Sequence, residues 1–453
     1  MNLQEKCSTL LRLTFAMKSK IWICLLFLFP FFLDCKDIDQ EIIVPLAKSE
    51  NLFSIYLSCK STELKEVLLF DLNHNGISTA SSEKTEEENQ LLQESPFRPS
   101  FWKPKGYTHV LKITLNQSQV SAVLFSLKTG LTKNIDPLNL TGSLPSDRRV
   151  MHQIANDVYE TIEGKKGIAQ SQIFYAIQLP DGNKWKSEIW TADYDGKNAR
   201  QLTQEKSYCI NPTLFPSEGV FTKNKYLYVN YKLGQPKIYI TSFDKPQGKP
   251  FISLRGNQLL PSFSYSGDLI AFISDASGQA DLFLQAFDPD KGLIGKPLQL
   301  YSFPQSVQAS PTFHPDGKKI AFVSDQEGTP RIFLINIPSL RNWKRPQPIC
   351  LTRKYRENTC PSWSPDGTKL AYSAKINGVR QIMVYDFITR EEIQLTTGKM
   401  HKENPCWATN STHIIFNTVD PSSSELFLIN LKQKEMVQIT EGPGKKHYPT
   451  WGP

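Results

Sequence analysis

From about Ile173 to its end, the chain repeats a single strand-rich unit whose core is Pro-x-aromatic, a Ser/His-Pro-Asp-Gly turn and a short apolar strand. Two copies show it plainly. Pro311-Thr312-Phe313 leads through His314-Pro315-Asp316-Gly317 to Ile320-Ala321-Phe322, and Pro361-Ser362-Trp363 leads through Ser364-Pro365-Asp366-Gly367 to Leu370-Ala371-Tyr372. The marker prolines, Pro212, Pro261, Pro311, Pro361, Pro405 and Pro449, follow one another at intervals of 44 to 50 residues. That period, with several strands per unit, is the sequence signature of propeller blades. Asp-Gly before the second strand is a hairpin signal, because tight turns need the positive φ that these residues tolerate.

The ends of the array predict how it closes. It starts in mid-repeat, at the second-strand sequence Ile173-Phe174-Tyr175-Ala176-Ile177, and stops after a first strand alone, Tyr448-Pro449-Thr450-Trp451. The two fragments together make one blade, which gives six blades, with seven as the alternative. Joining the fragments removes the exposed sheet edges that promote aggregation.

Ahead of the array the texture changes. Met17-Lys18-Ser19-Lys20 precedes a 13-residue apolar run from Ile21 to Leu33, too short to span a bilayer and suited to an export signal. Residues 1–35 are read as that signal, with Met17 an alternative start and Cys35 a candidate lipidation site. Residues 36–168 read as a small α/β domain and residues 169–453 as the propeller. Strands are expected at Glu41 to Leu46, Thr108 to Leu115 and Gln119 to Leu127. A helix is expected from an N-cap at Ser146, through the apolar face Val150, Met151, Ile154, Ala155, Val158 and Ile162, to Gly164. The polar, acidic stretch Ser78 to Glu94 reads as a surface loop. The fold class is therefore α+β.

Several chemistries lack their residues. A net charge of +8 spread along the chain, with no phosphate loop, argues against nucleic acid. The cysteines past the leader, Cys59, Cys209, Cys350, Cys360 and Cys406, include no Cys-x-x-Cys pair and read as small buried hydrophobes. No His-x-x-x-His and no Gly-x-Ser-x-Gly elbow occurs; Gly76-Ile77-Ser78-Thr79-Ala80 ends in the wrong residue for a peptidase. The carboxylates of Asp268, Asp316 and Asp366 are explained by turn chemistry rather than as a calcium ring. No metal or cofactor is expected.

What remains is the mouth of the ring. If each innermost strand begins at its marker proline, the residues just before the prolines ring one end of the channel. They include Asn211, Gln258, Gln308, Ser310, Asn358, Thr359, His401, Glu403, Asn404, His447 and Tyr448. Amides, hydroxyls, histidines and an aromatic suit a peptide or protein surface better than acid–base catalysis, which wants a convergent carboxylate or nucleophile pair. A propeller enzyme or lectin acting on a sugar or small ligand in the channel is the alternative.

The repeat, the junction from Asp157-Val158-Tyr159-Glu160 to Gly167-Ile168-Ala169-Gln170, the hairpin Trp190-Thr191-Ala192-Asp193-Tyr194-Asp195-Gly196 and the closing Tyr448-Pro449-Thr450-Trp451-Gly452-Pro453 together resemble the TolB family, periplasmic propellers of the bacterial Tol–Pal system. Two copies depart from the pattern, with Ala408-Thr409-Asn410-Ser411 and Phe215-Pro216-Ser217-Glu218 in the turn. The resemblance implies a non-enzymatic, monomeric periplasmic adaptor. Its mouth would bind a Pal-like peptidoglycan-associated lipoprotein, and Lys36 to Ala47 would reach a TolA-like inner-membrane protein, with outer-membrane proteins as further candidate partners. Outer-membrane integrity, cell division and protein or colicin import are the implied roles.

Overall fold

A computed structural model of the chain describes residues 52–82, 97–216, 219–338, 345–433 and 435–452. The leader, Cys35, the segment Lys36 to Ala47 and the strand expected at Glu41 to Leu46 lie outside the described residues.

The N-terminal domain is one mixed sheet and two main helices. Its elements are β1 (Phe53–Ser58), α1 (Thr62–His74), β2 (Ser78–Ser81), α2 (Pro99–Trp102), β3 (His109–Asn116), β4 (Gln119–Ser126), β5 (Thr132–Asn139) and α3 (Leu144–Glu163). The sheet order is β2-β1-β3-β4-β5, with β1 parallel to both neighbours and β3-β4-β5 an antiparallel meander. Helix α1 starts where Ser61 Oγ accepts from the Leu64 amide at 3.3 Å, the usual cap for an orphan donor. Its buried residues, Leu64, Val67, Leu68, Asp71 and Leu72, recur at helical spacing on one face.

Two expectations need correction. Helix α3 begins two residues before Ser146, with Ser143 as N-cap and Pro145 in the first turn, where its missing N–H costs nothing. The start is tied down by Asp147, whose carboxylate accepts from the Thr141 and Gly142 amides at 2.7 and 3.1 Å. The far end is as expected: Gly164 takes φ +71° and caps onto the Glu160 carbonyl. The stretch from Ser78 is not wholly loop, since β2 pairs with β1 and Ser78 is buried. Its Oγ donates to the Leu72 carbonyl, so the hydroxyl is satisfied inside the core.

The propeller has six four-stranded antiparallel blades. Blades one to five take their inner strands from Cys209–Leu214, Gln258–Phe263, Gln308–Phe313, Asn358–Trp363 and His401–Trp407. The sixth joins the C-terminal strand Lys445–Trp451 to Gln172–Asp181, pairing Trp451 with Ile173 and Thr450 with Phe174. The two ends of the repeat array thus latch the ring, as the split repeat predicts.

The domains share one core. Met151, Ile154 and Val158 of α3 and Leu64 and Leu68 of α1 cluster with Tyr175, Ala192, Ile415, Leu428 and Trp451 of blades five and six. Contact is made where first strands turn into second and third into fourth. His413 donates to the His74 carbonyl, and Gln433 Nε2 donates to the Asn73 carbonyl at 2.9 Å. The residues that open each inner strand lie at the opposite end of the ring, His401 beside Val419 and Lys445 beside Gln178. Among the described residues no helix is long and apolar enough to cross a membrane.

Candidate functional site at the open face of the ring

The inner strands do not begin at the marker prolines. They start three or four residues earlier, and each proline sits in mid-strand behind a β-bulge. The residue before each proline has positive φ: Asn211 +52°, Leu260 +53°, Ser310 +47°, Cys360 +53°, Asn404 +54° and Tyr448 +54°. A bulge inserts an unpaired residue and re-aims its side chain, here at the same level of every inner strand. The proline supplies a residue with no N–H where the ladder is interrupted.

This geometry sorts the expected residues into two groups. Gln258, Gln308 and Asn358 stand three positions before the proline and are at most 1% exposed. Their amides hold the loop entering the blade: Gln258 Nε2 donates to the Ile252 and Leu254 carbonyls, Gln308 Nε2 to Ser306 Oγ and Asn358 Nδ2 to the Tyr355 carbonyl. At the equivalent position Lys402 is also buried and donates to the Thr397 and Met400 carbonyls.

The second group is half-buried: Asn211, Ser310, Thr359, His401, Glu403, Asn404, His447 and Tyr448. Six of these, from blades four to six, are brought together by two hubs. Arg380, at the start of blade four's third strand, pairs with Glu403 (Nε to Oε1, 3.1 Å) and with Glu357 at 3.7 Å. Its Nη1 donates to Thr359 Oγ1 at 3.2 Å, and its main-chain N–H to His401 Nδ1 at 3.2 Å. Asn417 is the second hub. Its Oδ1 accepts from Asn404 Nδ2 at 2.8 Å and from the Tyr448 amide at 3.4 Å, and its Nδ2 reaches His447 Nδ1 at 3.5 Å. Asn211 and Ser310 stand apart on blades one and three. Arg380 carries no motif; only its place just after an Asn377-Gly378 hairpin, on the same face as the loops, marks it in the sequence.

Burial sets the protonation state of three groups at the mouth, His447, Cys360 and Tyr448. Burial, aided by Lys445, pulls His447 down to about 4, so its ring is uncharged. Burial pushes the Cys360 thiol up to about 11, with Glu403 adding to the shift. Burial also raises the Tyr448 phenol well above its usual range, reinforced by Tyr208, Tyr231, Glu403 and Cys360. A thiol held protonated is a poor nucleophile. Beside the mouth, the hairpin Gln172–Asp181/Lys184–Asp193 outreaches the second and third strands of blades one to five and exposes Trp185 by 49%, with Lys445 Nζ 5.6 Å over its ring. The turn carboxylates are spent locally: Asp366 Oδ1 accepts from Ser364 Oγ and the Thr368 amide.

Comparison with known proteins agrees with this architecture. Residues 159–453 match the family described as PD40, TolB beta propeller domain. A protein of Protochlamydia amoebophila (strain UWE25) named Protein TolB homolog is 42% identical over 397 residues, 83% of this chain and 84% of that protein. Its namesake in Chlamydia caviae is 46% identical over 269 residues, 59% of this chain and 61% of the relative. The crystal structure of TolB from Acinetobacter baumannii has the same fold, with a TM-score of 0.74 over 89% of this chain and 98% of that one at 20% identity. On the ring, the matched repeat and the identity to these relatives, the chain belongs to the TolB family.

Proposed function

We propose that the protein is a non-enzymatic periplasmic adaptor of the Tol–Pal envelope machinery, which holds a Pal-like peptidoglycan-associated lipoprotein at the open face of its propeller. The observation that carries this reading is the convergence of Thr359, His401, Glu403, Asn404, His447 and Tyr448 on Arg380 and Asn417, on the face turned away from the N-terminal domain. Loops and bulges on a rigid scaffold are the usual carriers of binding. Half-buried polar groups around an arginine, rimmed by exposed Trp185, have the anatomy of a protein-binding patch. The group supplies no activated nucleophile, which supports a binding role over catalysis.

In this reading the leader 1–35 directs export, Lys36 to Ala47 contacts a TolA-like inner-membrane protein, and the assembly maintains the outer membrane, serves division and is exploited for protein import. The test is a binding titration with the soluble domain of the same organism's peptidoglycan-associated lipoprotein. Binding weakened at least tenfold by Glu403→Lys is expected. No binding to that domain, or binding indifferent to Glu403→Lys and Arg380→Ala together, overturns it.

A further inference from the structure

The junction between the N-terminal domain and the closing blade concentrates buried charge. Asp71 of α1 and His152 of α3 are 2% and 1% exposed, and Asp193, which ends blade six's third strand, and Asp195 in the turn after it are 4% and 5% exposed. Charges at such depth are costly unless every one is paired. Most are. His152 Nδ1 lies 2.8 Å from Asp71 Oδ2, and the Tyr194 hydroxyl donates to Asp71 Oδ1 at 2.6 Å. Arg148 forms an ion pair with Asp195, whose other oxygen accepts from the Lys197 amide at 3.1 Å. Asn198 Nδ2 donates to Asp193 Oδ2 at 2.6 Å.

Two buried atoms are left out, Arg148 Nε and His152 Nε2. His152 Nε2 is fully buried and has no hydrogen-bond partner. A ring nitrogen of His152 and one carboxylate oxygen from each of Asp193 and Asp195 lie within 4.8 Å of one another. Since Asp71 occupies Nδ1, Nε2 is the nitrogen available to a ligand. A carboxylate on Nδ1 fixes the tautomer that turns the Nε2 lone pair outward, the outer-shell arrangement found at metal-binding histidines.

We propose that His152, Asp193 and Asp195 bind a divalent transition metal of the zinc class, with Asp71 orienting His152, and that the ion fastens α3 to the closing blade. The size is suitable. The centre of a triangle with 4.8 Å sides is about 2.8 Å from each corner, so inward shifts of roughly 0.7 Å reach the bonding distance of about 2.1 Å. An imidazole with two carboxylates suits zinc and its neighbours better than calcium or magnesium, which prefer all-oxygen sets. Among the described residues Arg148 pairs with Asp195 alone, and exposed Arg149 acts on Asp193 from outside. A dication offsets the remaining negative charge. A groove of about 580 Å³, lined by Glu63, Glu66, Arg148 and Asp195, meets the cluster at Asp195.

The rival arrangement has Arg148 and a protonated His152 as the resident cations of a closed ion-pair network. Calorimetric titration of the chelator-stripped protein with zinc chloride distinguishes them. One equivalent bound, a melting temperature that rises with free zinc, and affinity lowered at least tenfold by Asp193→Asn are expected. Asp71→Asn should weaken binding about 10–100-fold, and His401→Ala should leave it intact. Should Asp193→Asn fail to fold, anomalous diffraction from zinc-soaked wild-type crystals decides, with a peak expected between His152 Nε2 and the two carboxylates. No binding below about 1 mM, binding unchanged in Asp193→Asn, or an anomalous peak only elsewhere overturns the proposal.

Discussion

His413 Nε2 donates to the main-chain carbonyl of His74 at 2.7 Å, tying the second strand of blade five to the last turn of α1. On the other edge of its imidazole, Asn410 Nδ2 lies 2.9 Å from Nδ1, so the neutral side chain serves as donor and acceptor at once.

Stability should follow the state of His413. Burial pulls it from 6.5 down to about 4, with no carboxylate beside it to compensate. The unfolded chain therefore binds a proton between these values that the folded chain does not. The contribution is present in full above pH 6.5 and is lost as pH falls toward 4, on the order of 3 kcal/mol. Urea midpoints at pH 7 and 4.5 measure the slope. His413→Asn should be less stable at pH 7 and show a shallower fall, and an unchanged slope would count against this origin.

Gly196 should tolerate no side chain. It lies at φ +81°, and a Cβ there would stand 1.6 Å from the Ile439 carbonyl oxygen. Gly196→Ala combines a left-handed backbone with a main-chain clash, and roughly 3 kcal/mol of destabilisation is expected by chemical denaturation.

Ser310 offers a way to separate folding from binding. Its bulge conformation, φ +47°, suits glycine better than any β-branched residue. Ser310→Gly should leave stability unchanged or slightly raised, whereas Ser310→Val should cost about 1–2 kcal/mol. If Ser310 lies in the partner interface, Ser310→Gly loses affinity without losing stability, which a paired melting and binding measurement detects.

Closure of the ring can be tested by removing residues 445–453. This strand covers the edge of Gln172–Asp181 and places Trp451 in the shared core. Its loss should abolish the single cooperative melt and give concentration-dependent aggregation, because an unpaired apolar edge recruits other chains. A truncated chain that still melted cooperatively as a monomer would show that the latch is dispensable.

The ring was legible in the sequence because its signals are local. Pro-x-aromatic, Asp-Gly turns and alternating apolar residues act within a few positions, so the repeat of Pro311 and Pro361 declares blades, and the split at Phe174 and Trp451 declares closure. The N-terminal domain was less legible: β1 is short, and the unbroken apolar run Val67 to Phe70 masks the helical period of α1. Tertiary structure alone decided the rest. The marker proline looked like a strand start because the bulge before it leaves no trace in composition. Arg380 gathers Thr359 and Glu403, and His152 meets Asp71 and the Asp193 turn, across gaps in sequence that only the ring and its docked domain close. Turn chemistry is fixed by neighbours along the chain, whereas convergence depends on where each blade and domain comes to rest.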